Sequence, residues 1–135
     1  MVYLLDTNVI INYLHGNSHV QANFHNAVMN NCDIAIPKMV DYEIRRGFLI
    51  RPNPRREVAY NTFAGDCNIV DIDTNTWNYA MAVYAGHHHN RHTVGEIDIL
   101  IASLCIQNNY VLVTNNAKDF QNVSGIKLVD WSQPK

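Results

Sequence analysis

The sequence predicts an α/β fold, a three-layer α/β/α sandwich around a central, mainly parallel sheet. Two observations carry the prediction. Short apolar runs with β-branched or aromatic residues, such as Val2-Tyr3-Leu4-Leu5 and Tyr110-Val111-Leu112-Val113, alternate with longer segments whose apolar residues recur at helical spacing. Strands separated by helices form parallel βαβ units rather than tight hairpins, and their helices cover the sheet. The 135 residues hold no internal repeat, low-complexity tract or linker, so a single domain over 1–135 with one core is expected.

The elements follow in order. Residues 2–5 make the first strand, which runs straight into Asp6-Thr7-Asn8. Val9, Ile10, Tyr13 and Leu14 then continue at helical spacing, and a more polar helix follows around 19–30. Residues 33–36 read as a short strand, and Pro37 suits the first position of a helix over roughly 37–49. Met39, Val40, Ile44, Phe48 and Leu49 are its apolar contacts, and Arg51-Pro52-Asn53-Pro54 stops it. Another helix spans about 55–65, and 68–72 is a strand. Helical texture returns over 75–89, with Trp77, Ala80, Met81 and Tyr84 on one side. A polar, histidine-rich loop leads to Glu96, which fits a capping box with Thr93. Residues 97–106 are strongly helical and apolar, and Asn108-Asn109 ends them. The strand over 110–113 runs into Thr114-Asn115-Asn116, and 127–130 is the last strand.

Composition narrows the function classes. Hydrophobic residues are 47% and charged residues 16%, which is globular and not disordered. A net charge of −2 argues against non-specific coating of nucleic acid but leaves room for a local basic patch. Cys32, Cys67 and Cys105 are odd in number and far apart, with no C-x-x-C pair. That pattern suits a reducing compartment and small core residues, not a disulfide framework or a four-thiolate zinc site. No secretory leader and no run near the ~20 apolar residues of a membrane span is present, so a cytoplasmic protein is expected.

Four acids stand out by position. Asp6 ends the first strand, Glu43 lies in the helix after the second, Asp98 opens the apolar helix, and Asp119 follows the 110–113 strand. A parallel sheet brings such positions to one rim, outside the carboxyl ends of its strands. Carboxylates on one rim repel one another unless cations neutralise them. Mg²⁺ and Mn²⁺ prefer oxygen ligands and activate water against phosphodiesters. Each acid also has a structural reading. Asp6, Thr7 or Asn8 could cap the next helix; Glu43 could pair with Arg46; Asp98 suits a helix N-terminus; Asp119 could cap a turn.

Leu5-Asp6-Thr7-Asn8, Tyr42-Glu43-Ile44-Arg45-Arg46-Gly47, Gly95-Glu96-Ile97-Asp98-Ile99-Leu100-Ile101-Ala102 and Val113-Thr114-Asn115-Asn116-Ala117-Lys118-Asp119-Phe120 occur in this order across nearly the whole chain. In these blocks the sequence resembles the PIN-domain nucleases, and within them the VapC-type toxins of bacterial toxin–antitoxin pairs. The resemblance implies a PIN-like fold and a metal-dependent endoribonuclease acting on tRNA or rRNA. Asp6 and Asp98 match the direct Mg²⁺ or Mn²⁺ ligands, and Glu43 the third acid. Thr7, Asn8 and Thr114 match polar residues that line the site. Many PIN domains carry an Asp where Asn116 stands here, so either Asp119 is the fourth acid or the site works with three. The resemblance further implies a homodimer and a VapB-type antitoxin that inserts a C-terminal segment into the toxin's groove. Operator DNA would be bound only through that complex. Ile11 and Leu14 could line such a groove or be plain core.

Arg45, Arg46, Arg51, Arg55 and Arg56 supply half of the ten basic residues within a dozen positions after Glu43. Phosphate approaching an acidic site needs such charge, so Arg45, Arg46, Arg55 and Arg56 are RNA-binding candidates. The alternative is a solvated surface with pairs such as Asp41 with Arg45. His87-His88-His89-Asn90-Arg91-His92 does not suit zinc, because adjacent helical residues point ~100° apart. These histidines fit a helix end, where the dipole favours positive charge. Two other functions compete: a receiver-like Mg²⁺-binding signalling domain, and a PIN fold kept only for binding.

Overall fold

The computed structural model describes residues 1–89 and 95–134. Its strands are β1 (Val2–Leu5), β2 (Asp33–Pro37), β3 (Asn68–Val70), β4 (Val111–Val113) and β5 (Lys127–Val129). All pairings are parallel, in the order β3-β2-β1-β4-β5, with Leu4 in register with Ala35 on one side and Leu112 on the other. The helices are α1 (Thr7–Leu14), α2 (Ser18–Met29), α3 (Lys38–Ile50), α4 (Pro54–Gly65), α5 (Thr74–His89), α6 (Glu96–Asn108) and α7 (Ala117–Phe120). The chain lays β2 and β3 to one side of β1, then β4 and β5 to the other. Right-handed crossovers in opposite directions put α1–α4 and α5–α7 on opposite faces of the sheet. A receiver-like fold has the order 2-1-3-4-5. The observed order is different, and that alternative is set aside.

Leu4, Leu5, Ile36 and Leu112 of the central strands are fully buried, because both sheet faces are covered. An aromatic stack of Phe24 on Phe63, centroids 4.3 Å apart, with Tyr13 at 4.6 Å from Phe63, ties α1, α2 and α4 together. On the other face α6 is buried almost all round between Ile99 and Cys105, a run that is apolar except for Ser103, whose hydroxyl bonds back to the Ile99 carbonyl. Asn109, at φ 58°, ends α6 in the left-handed conformation that suits asparagine. Burial holds the Cys105 thiol up at about 12, so it is packing and not a ready nucleophile. Among the described residues no helix is long and apolar enough to cross a membrane.

Three details depart from the sequence reading. Leu49 is 84% exposed, because α3 turns Val40, Ile44 and half-buried Phe48 inward and Leu49 sits ~100° away. On α5 the Trp77, Met81 and Tyr84 stripe faces solvent, while Thr76, Ala80 and His87 are buried as α5 packs along α6. The short α7, anchored by fully buried Phe120, replaces what read as a turn.

Candidate active site

Reversal of strand order between β1 and β4 makes a switch point, the place where open parallel sheets bind ligands. Asp6 follows β1 and Thr114 follows β4, so both stand at it. The Asp6 amide donates to the Val113 carbonyl at 3.0 Å, and Thr114 Oγ1 donates to Asp6 Oδ2 at 2.8 Å. Asp6 Oδ1 accepts from the Thr7 amide at 2.8 Å, and Asn8 Nδ2 approaches Oδ2 at 3.4 Å. Capping and site readings of Asp6 therefore coincide: it is the N-cap of α1 and a buried acid at the switch point. Thr114 Oγ1 also accepts from the Asn116 amide at 3.0 Å, and Asn8 Oδ1 from the Asn115 amide at 3.3 Å.

Asp6, Glu43 from α3 and Asp98 from α6 line one open basin of about 540 Å³, with Thr7, Asn8 and Asn116. Asp119 does not line it. It is exposed on α7, yet its charge reaches both Asp6 and Asp98. Burial pushes the Asp6 carboxyl above its ordinary value, against the lowering effect of the bonds from Thr114 and Thr7. Burial, then the charges of Asp6, Asp119 and Glu43, pushes Asp98 up to about 6. All four acids thus share one electrostatic neighbourhood.

Thr114→Val tests that neighbourhood. It strands Asp6 Oδ2 without its hydroxyl partner and is expected to cost about 1.5–3 kcal/mol where Asp6 is ionised. Thermal melts in chelator should show the larger deficit at pH 8 and the smaller at pH 4. An equal deficit at both would mean that Thr114 serves packing alone.

Arg46 lines the basin, which opens into an apolar groove of about 530 Å³ along α1 and α3. Ile11, Leu14 and Phe48 form its apolar part, and Arg46, Arg51 and Arg56 line it too. Arg45 and Arg55 line neither cavity. Arg45 turns to the buried Asp41, Nε to Oδ1 at 2.9 Å, and lies over the Tyr60 ring at 5.2 Å. Tyr60 donates to the same Asp41 oxygen at 2.6 Å, which locks α3 onto α4.

Sequence reasoning missed Met39, Tyr42 and Ile97 in the basin wall. Tyr42 had a readable signal: it lies off the inward stripe of its helix and directly before Glu43. His87 and His88 lie near the end of α5. The histidine-rich loop, with Arg91, His92 and Thr93, lies outside the described residues.

The donor set fits a hard divalent cation. Asp6, Glu43, Asp98, Thr7, Asn8 and Asn116 offer oxygens to the basin, and burial together with the neighbouring carboxylates pushes Asp98 up to about 6. Among the described residues no group of three or more His, Cys, Asp or Glu side chains is close enough together to hold a metal ion by itself, so Asp6, Glu43 and Asp98 share the basin without forming a ready-made three-ligand site. Mg²⁺ sites are characteristically open in this way, with one or two carboxylates and the remaining positions left to water and phosphate.

An all-parallel sheet with an acidic basin at its switch point defines an α/β protein with a candidate ligand site at the carboxyl ends of its strands. The chain belongs to the PIN domain family, whose pattern matches residues 3–126. It is 27% identical over 136 residues to Ribonuclease VapC2 of Rickettsia felis, covering 98% of this chain and 100% of that one. It is 25% identical to the tRNA(fMet)-specific endonuclease VapC of Shigella flexneri, covering 96% and 98%. The crystal structure of VapBC2 from Rickettsia felis, bound to a DNA fragment from their promoter, matches with a TM-score of 0.89 at 26% identity. That match covers 97% of this chain and 99% of the other.

Proposed function

We propose that this chain is the VapC-type toxin of a toxin–antitoxin pair, an endoribonuclease that uses Mg²⁺ or Mn²⁺ to hydrolyse phosphodiester bonds in tRNA or rRNA. The observation that carries this reading is the meeting of Asp6, Glu43 and Asp98 from three separate elements in one basin. Membership of the PIN family and relatives named as VapC ribonucleases support it.

In this reading Asp6 and Asp98 hold the ion and Glu43 is the third acid. When bound, the ion supplies Lewis-acid activation of water and neutralises charge at the phosphoryl group. Thr114, Thr7 and Asn8 keep Asp6 in a fixed orientation through the bonds described. Glu43, half-buried on α3, faces the same space and can orient a water or accept its proton. Asn116 offers an uncharged amide to the basin, and Asp119, outside the lining, adds negative charge that acts on Asp6 and Asp98. In this reading water is the nucleophile.

Arg46 and Arg56 are the RNA-binding candidates best placed to meet phosphate, and Arg51 joins them. Arg56→Ala should weaken RNA binding alike across sequences and lower the salt slope by about 1. An unchanged slope would remove Arg56 from the interface. The apolar groove beside the acids suits the C-terminal segment of a VapB-type antitoxin. A second copy of the chain is the further partner, with operator DNA bound only through the toxin–antitoxin complex in the cytoplasm.

The test is cleavage of total bacterial RNA by purified protein with Mg²⁺, with Mn²⁺ and with chelator. Discrete fragments that need the ion are the expected result. A folded protein that cuts no RNA under any of these conditions would leave the binding-only reading in its place.

A further inference from the structure

Helix α3 carries two arginine–tyrosine pairs with opposite surroundings. Arg45 lies over Tyr60, which is fully buried and bonded to Asp41. Arg46 lies over Tyr42, its guanidinium 5.0 Å from the ring centroid, and this ring is 59% exposed. The first pair is structural cement between α3 and α4. The second faces the acidic basin: Tyr42, Arg46, Asp6, Glu43 and Asp98 all line the same space.

A large aromatic ring beside carboxylates, off the packing stripe of its own helix, contributes little to the core. It does offer an uncharged π-face at the edge of a site whose acids repel phosphate. Arg46 restrains the ring by a cation–π contact and places positive charge beside it. Unpaired RNA bases are held in this manner, on aromatic or guanidinium planes with the backbone on neighbouring cations.

We propose that Tyr42 is a stacking platform for an unpaired base next to the phosphate that is cut, with Arg46 pairing that base's backbone. This rests on the ribonuclease reading above and narrows its substrate to RNA with an unstacked base at the cleavage site. Tyr42 is a binding residue, since the reacting atoms belong to the acids, so its effect falls on KM and not on kcat.

The experiment uses the full chain with Tyr42→Leu, Tyr42→Phe and the parent. Steady-state cleavage of a single-stranded oligoribonucleotide gives KM and kcat. In an Asp6→Asn background, 2-aminopurine placed at each position in turn reports stacking by loss of fluorescence. Tyr42→Leu is expected to raise KM about tenfold with kcat within about twofold, and to abolish quenching at one position. Tyr42→Phe should behave as the parent in both assays.

Parent-like KM in Tyr42→Leu would overturn the proposal. So would a fall in kcat at constant KM, which would mean that Tyr42 positions Glu43. Loss of antitoxin binding with RNA parameters unchanged would make the ring a protein-docking residue instead. If the parent cuts no RNA, the ribonuclease reading fails first, and the quenching assay still decides whether a base stacks on Tyr42.

Discussion

Asp98→Asn is expected to abolish RNA cleavage while making the ion-free protein more stable than the parent. The loss follows from the site: removing one of the two carboxylates proposed to hold the ion should cost at least 10²–10³-fold, roughly the effect of deleting one electrostatic stabiliser. The gain follows from proton linkage. Folded Asp98 holds its proton up to about 6, whereas an ordinary aspartate releases it near 3.8. Folding therefore takes up a proton between those values, and stability falls as pH rises from about 4 to about 6. Above that window the ionised Asp98 carries a penalty, on the order of 1 kcal/mol once its half-exposed position is discounted. Asparagine keeps the shape and removes the charge. In chelator at pH 7.5 the variant should melt a few degrees higher, and at pH 4 the difference should vanish. Mg²⁺ or Mn²⁺ offsets the same repulsion, so the ion should raise the parent's Tm and barely move the variant's. A variant that melts lower at pH 7.5, or parent melting indifferent to the ion, would contradict this account of the acids.

The two faces of that result express one conflict. Asp6 and Asp98 are held against desolvation and against their neighbours' charge. A sequence selected only for folding would not gather acids there. That conflict was partly legible in the sequence, where Asp98 stands alone between Ile97 and Ile99-Leu100-Ile101. The parallel sheet was legible too, because apolar runs ending in Asp6 and Thr114 alternate with helical spacing, and alternation is a local signal. The strand order was not, since it depends on which edge each crossover reaches. Without the order, the switch point between β1 and β4 cannot be located. The turn of α5 was also hidden: its exposed Trp77, Met81 and Tyr84 are more apolar than its buried Thr76 and His87. Periodicity alone then selects the solvent face. Thr76 becomes intelligible only in three dimensions, where its hydroxyl bonds Gln107 Oε1 at 2.6 Å across to α6. For Arg45 the pairing with Asp41 was readable from the i,i+4 spacing, but the contact with Tyr60 of α4 was not.

Phe24→Ala should produce the largest loss of stability while leaving the chemistry of each folded molecule intact. Phe24 is 1% exposed, stacks on Phe63 at 4.3 Å, and meets Tyr13 edge-on at 5.2 Å and Trp131 at 6.4 Å. Truncation removes the whole ring from a site bounded by other rings, which relax little into the space. Such changes cost about 3–5 kcal/mol. For a chain of this size that corresponds to a fall in Tm of roughly 10–20 °C. The cluster lies on the α1–α2–α4 side, away from the rim where Asp6, Glu43 and Asp98 face the basin. At 15 °C, where the folded form persists, kcat per folded molecule should equal the parent's. Melting together with cleavage at low temperature checks both halves. A Tm shift below about 3 °C would mean that the aromatic cluster is loosely packed. A loss of kcat in fully folded protein would mean that α1, which carries Thr7 and Asn8 in its first turn, is placed by this cluster and not by the bonds to Asp6 and Asn115. Asp98→Asn and Phe24→Ala thus separate what the chain spends its stability on from where that stability arises. The first should raise Tm and end cleavage, and the second should lower Tm and leave cleavage alone.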